Sequence, residues 1–137
     1  MSSVYDPRPL AFGENTNIRL VEVLCDDLPY TNPLITCKLH VVSLKDAPKY
    51  TALPYVWGSP ETTRSVYLGA TPFGVRYNLW ALLWQYQRSG CKECLWIDAL
   101  CIDQGRLEER NHQVAMMGQT FSSAELVIVW LGFELGP

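Results

Sequence analysis

Leu95-Trp96-Ile97-Asp98-Ala99-Leu100-Cys101-Ile102 is a continuous apolar run broken by one carboxylate, the pattern of a strand covered on both faces. On its N-terminal side a helix is predicted. Asn78 is a good N-cap, Leu79, Leu82, Leu83 and Tyr86 recur at helical spacing, and Ser89-Gly90 stops the run. On its C-terminal side a helix is predicted over Leu107 to Phe121, then a second buried strand from Glu125 to Leu131, ending at Gly132. Further upstream, Tyr50 to Trp57 is apolar on both faces, with Pro54 marking a bulge or the strand's end. Ser65 to Leu68 is a short strand, and Gly69-Ala-Thr-Pro72 turns the chain toward Phe73 to Arg76. Ile18 to Leu24 and Thr36 to Leu44 alternate and read as an antiparallel pair. Strand, helix, strand, helix, strand with doubly buried strands predicts one α/β domain. Its central sheet would be mainly parallel, with right-handed crossovers, flanking helices and an added N-terminal antiparallel pair. Residues 1–17, without periodicity, form a lead-in arm, and 18–137 the domain; a chain ending just after a strand suggests excision from a longer, multidomain protein.

At 137 residues and 48% hydrophobic, the chain is long enough to bury a substantial core. Its net charge of -3 offers no basic excess for phosphates or anionic lipid, which disfavours nucleic-acid and membrane partners. No apolar stretch reaches the roughly 20 residues of a membrane span, and the N-terminus lacks a signal-peptide pattern. A soluble, cytoplasmic chain is expected. The cysteine count is odd, and Cys91-Lys-Glu-Cys94 has no second ligand pair, so reduced thiols and no metal are expected. No GxGxxG, P-loop, GxSxG or HExxH string occurs, which removes the usual dinucleotide, phosphate, hydrolase and zinc-protease readings.

In parallel sheets ligands bind beyond the strand C-termini, here Trp57-Gly58-Ser59, Asp98 to Gln104 and whatever follows Gly132. A buried Asp98 needs a partner. On a helical wheel Leu107, Val114, Met117 and Phe121 share a face with Arg110, so Arg110 is expected to point inward and pair with Asp98 or Asp103. Asp103 is also a candidate helix N-cap. Glu109 falls nearly opposite that face and Glu108 about 100° from it, so periodicity makes both solvated acids. His112 reads as a surface histidine, and Cys101 as a small core residue.

Five blocks are more specific. They are Tyr50-x-Ala-Leu-x-Tyr55-Val-Trp57-Gly58, Asn78-Leu79-x-x-Leu82, Leu95-Trp-Ile-Asp98-Ala-Leu-Cys-Ile-Asp103-Gln104, Glu109-Arg110-x-x-Gln113-Val-x-x-Met117, and Val129-Trp-Leu-Gly132. In this order they closely resemble the heterokaryon incompatibility (HET) domain, over about Ile18 to Gly132. Pro54 and Asp103 stand where that family usually has Ser and Asn, and Gly105-Arg106 replaces a polar or acidic pair. The resemblance implies a fungal domain that triggers cell death on fusion of incompatible individuals and has been likened to flavodoxin-like TIR domains. TIR domains act by self-association, and some cleave NAD at the nicotinamide–ribose bond with a glutamate. Carried over, Glu109 would be that glutamate, with Glu108 in reserve, and Tyr55, Trp57, Gly58, Asp98 and Asp103 would line the NAD-binding edge. The carboxylate would hold the ribose hydroxyls and stabilise an oxocarbenium-like transition state while a Trp ring stacks on the base. Two functions follow: an assembly module that requires no cofactor, partnering itself or other death-signalling domains, or an NAD glycohydrolase gated by assembly.

Overall fold

The computed structural model describes residues 16–24, 35–53, 63–90 and 92–128. Strands β1 (Asn17–Val23) and β2 (Thr36–Ser43) form the expected antiparallel pair, in register from Asn17 opposite Ser43 to Val23 opposite Cys37. Strand β3 is Tyr50–Ala52. Strands β4 (Thr63–Leu68) and β5 (Thr71–Arg76) make a hairpin whose turn is two residues, Gly69 and Ala70, shorter than predicted. Gly69 has φ +66°, which a side chain there would strain. Pro72 already lies in β5, which is an edge strand and so tolerates a missing N–H.

Helix α1 (Tyr77–Ser89) ends as predicted at Gly90, whose left-handed φ of 74° lets its N–H return to the Gln87 carbonyl. Its start differs. Arg76 occupies the cap position without a side-chain bond, and Asn78 is buried one residue inside the helix. The decisive apolar run also divides: β6 is only Cys94–Trp96, and Asp98–Cys101 curls into one helical turn, α2. Its Leu100 and Cys101 N–H groups both reach the Ile97 carbonyl. A continuous apolar run carries no period that separates a buried strand from a buried helical turn. The predicted 107–121 helix breaks at Met116, whose φ of -101° and ψ of 8° leave the helical region, giving α3 (Leu107–Ala115) and α4 (Met117–Ser123). Strand β7 is Leu126–Val127.

The seven strands form one mixed sheet in the order β5-β4-β2-β1-β6-β3-β7. Parallel pairing joins β2 to β4 and β3 to both β6 and β7, but the long ladders, β1–β2 and β4–β5, are antiparallel. The class is α/β as expected, whereas the mainly parallel, flavodoxin-like sheet is not what forms. Strand β1 is the reason: it sits in mid-sheet and runs antiparallel to both neighbours, confining the parallel portion with β6 to β6-β3-β7.

Alternation along the strands separates two faces. Tyr50 and Trp96 face α4, through a Tyr50 hydroxyl donating to the Thr120 carbonyl and an edge-to-face contact of Trp96 with Phe121 at 5.4 Å. Thr51 and Leu95 point the other way, toward Leu82 and Tyr86 of α1. The core between these layers includes Ile18, Leu20, Val21, Leu79, Leu83, Leu95, Ile97 and Leu100, all almost fully buried. No helix among the described residues is long and apolar enough to cross a membrane.

Candidate functional site

Arg19 on β1 and Glu109 on α3 are both fully buried. The Arg19 Nη1 and Nη2 atoms donate to Glu109 Oε2 and Oε1 at 2.7 and 2.8 Å, a bidentate pair. Arg19 Nη1 also donates to the Cys101 carbonyl at 3.2 Å, and the Asp103 backbone N–H donates to Glu109 Oε2. One ion pair therefore ties β1, the end of α2, the following loop and α3 together. The buried side of α3–α4 is Glu109, Gln113, Met116 and Thr120, at spacings of four, three and four.

This inverts the wheel drawn from periodicity. Leu107 and Val114 are 64% and 54% exposed, Arg110 is exposed, and Glu109 faces the core. The expected inward Arg110 clamp on Asp98 is thus corrected: the clamping cation is Arg19 and its partner is Glu109. The physical reason is charge. Once β1 carries Arg19 into mid-sheet, an uncompensated guanidinium there costs several kcal/mol, which outweighs exposing two aliphatic side chains.

Asp98 opens α2 instead of interrupting a strand, and it is half-buried. Burial raises its pKa above 3.8, an effect opposed by its own N–H and that of Ala99, and its Oδ1 has no partner among the described residues. Asp103 is buried and bonds the Gly105 N–H through Oδ1 at 3.1 Å, closing a turn, while Arg106 takes the cap position of α3. Cys101 is fully buried, and burial pushes its thiol up to about 12, far from a reactive thiolate. A groove of about 430 Å³ runs between α1 and β6-β3-β7, lined mainly by Leu53, Leu82, Tyr86, Leu95, Leu126 and Ile128.

The heterokaryon incompatibility protein (HET) family profile matches residues 50–135. The chain belongs to the HET family. It is 33% identical over 131 residues to "Heterokaryon incompatibility protein 6, OR allele" of Neurospora crassa, an alignment covering 86% of this chain and 19% of that protein. The chain thus spans about a fifth of that relative's length. No solved structure matches it.

Of the HET-motif residues predicted to form a site, Asp103 and Glu109 meet, through the Asp103 N–H and not its carboxylate. Glu108 is exposed on the first turn of α3. Tyr55, Trp57 and Gly58 lie outside the described residues, as do Cys91 and residues 129–132. Arg19 is the residue sequence reasoning missed. Its signal was present, a lone cation inside Ile18-Arg-Leu-Val21, where both neighbours and the next residue are core.

The raised pKa of Asp98 has a testable consequence. The folded state holds its proton more tightly than the unfolded chain, so Asp98 weakens stability as pH rises through the interval above 3.8. Asp98→Asn in the HET domain should raise the melting temperature at pH 7 and leave it unchanged near pH 3, where the native carboxyl is already protonated. A pH series of thermal melts that finds equal shifts at both pH values refutes this.

Proposed function

We propose that this HET domain acts in the cytoplasm of a fungal cell as an incompatibility module that signals cell death by associating with its own kind or with other death-signalling domains. The relationship to a heterokaryon incompatibility protein carries the incompatibility role. Association is supported by β7. Leu126, Val127 and Ile128 are 52%, 46% and 43% exposed at the sheet edge, beside the apolar groove. An edge strand offers unpaired backbone groups, and contiguous exposed apolar side chains favour contact with another protein. Glu109, engaged by Arg19 and the Asp103 N–H, has a structural task that needs no substrate.

The alternative is the assembly-gated NAD glycohydrolase of TIR-like chemistry. With Glu109 buried, Glu108 is the carboxylate that NAD would reach, and its exposure is the observation favouring that assignment. Expression of the domain in a fungal host should arrest growth, and Glu108→Ala should arrest it equally. Incubation of concentrated domain with NAD, followed by chromatography, then decides the chemistry. Nicotinamide release that disappears in Glu108→Ala, together with loss of the growth arrest, would replace the association function with the enzymatic one.

A further inference from the structure

The side of α3 that periodicity assigns to the core is left uncovered by the fold. At about 100° per residue, Leu107, Arg110 and Val114 fall within about 60° of one another, away from the buried Glu109 and Gln113, and all three are exposed. They form a ridge about 10.5 Å long, two aliphatic side chains with a cation between them. Arg110 has no ion-pair partner among the described residues.

The groove of about 430 Å³ between α1 and β6-β3-β7 is a second uncovered apolar surface, and Leu126 and Ile128 both line it and are exposed. The strand register orders its floor. Leu95, Thr51 and Leu126 lie in one row across the strands, with Ile128 two residues further on and Glu93 two residues back. Leu53 and Ile128 make one end apolar, and the half-buried Glu93, accepting the Thr51 hydroxyl at 3.3 Å, puts a carboxylate at the other. From Glu93 to Ile128 the groove runs about 13 Å, four residues at ~3.3 Å each. Of the six large apolar side chains exposed among the described residues, five belong to these two surfaces or to the adjoining Val127.

We propose that the α3 ridge of one copy seats in the groove of a second copy, with Arg110 paired to the partner's Glu93. This pairing rests on the association function proposed above and identifies the partner as a second copy of this chain. Length fits: setting Val114 over the Leu53 and Ile128 end leaves Arg110, four residues and about 6 Å back along the helix, a side chain's length from Glu93. Charge fits as well. A guanidinium entering an apolar groove is costly unless a carboxylate meets it, and Glu93 supplies one. A two-fold pairing of ridges would instead bring Arg110 against the partner's Arg110, like charge on like. No residue lining the groove belongs to α3, so the contact is heterologous: each pair keeps one unused ridge and one unused groove, and further copies add. A nine-residue helix covers less than the ~800 Å² per partner of a standard interface, so assembly is weak and responds to local concentration.

Sedimentation velocity of the chain over a concentration series at low salt is expected to show a weight-average mass that climbs past the dimer. Val114→Asp, on the ridge, and Ile128→Asp, in the groove, should each remain monomeric, with circular dichroism confirming the fold of every variant. Mixed one to one, they should stop at a dimer, because each pair then holds one working ridge and one working groove. Arg110→Glu should weaken assembly about tenfold or more, and adding Glu93→Arg to it should restore assembly. A parent chain still monomeric at about 1 mM or halted at a dimer overturns the proposal. So does assembly indifferent to both Asp variants, a mixture that stays monomeric, or a charge reversal that restores nothing. The growth assay above tests association with any partner, so failure of this pairing and failure of the association function are distinguishable.

Discussion

Glu109→Ala is expected to lose about 3 to 5 kcal/mol of stability, because it leaves the Arg19 guanidinium buried without the carboxylate that pairs with it bidentately. For a domain whose total stability is of order 5 to 15 kcal/mol, that is enough to make the variant largely unfolded or insoluble at 37 °C. The same carboxylate also accepts the Asp103 N–H, so its loss loosens the loop that leads into α3. Two companions separate this from a general sensitivity of the helix. Arg110→Ala, on the exposed side of α3, should shift the melting temperature little. The double replacement Arg19→Met with Glu109→Leu removes both charges together and should recover much of the stability lost by Glu109→Ala, since apolar groups of similar volume often replace a buried ion pair without loss. Chemical denaturation of the four proteins makes the comparison. A Glu109→Ala domain as stable as the parent would show that the pair contributes nothing to the fold. Loss of cell-death signalling in Glu109→Ala would then demand a chemical explanation.

Trp96→Ala should cost about as much, about 3 to 5 kcal/mol, by emptying the space between β6 and α4. Trp96 is 1% exposed, and its ring meets the Phe121 ring edge to face, so the truncation removes an aromatic pair as well as buried area. Its indole Nε1 is buried and finds no acceptor among the described residues. Trp96→Phe therefore removes an unsatisfied donor along with part of the ring, and its penalty should be well under half that of alanine. Equal destabilisation by Phe and Ala, measured by the same denaturation, would show that the indole N–H has a partner after all.

The strands β1 and β2 and the helix α1 were legible because each rests on a local signal. The apolar run of β1 is buried on both sides, alternation over Cys37 to Val41 brings one side of β2 into the core, and the leucines of α1 recur until Gly90 supplies the left-handed residue that ends the helix. The HET blocks were legible for another reason: they are strings of residue types, whatever the backbone does with them. Three other features were not available locally. Asp98 to Cys101 coil into a helical turn that an apolar run cannot distinguish from a strand. The sheet is mixed because β1 inserts beside β6, a pairing at the single register Val21 to Leu95 that closes over more than 70 residues. Leu126 and Val127, predicted to be buried, are exposed on β7, which among the described residues is the edge strand beyond β3.

The sequence alone therefore determined the class, the N-terminal pair, the first helix and the family, all of which follow from short-range periodicity or from residue identity. Only the tertiary structure decided which acid is buried, since the partner that draws Glu109 inward lies 90 residues away on β1. A helical wheel ranks faces by hydrophobicity and has no knowledge of a distant charge, whereas the folded chain must neutralise every charge that it buries.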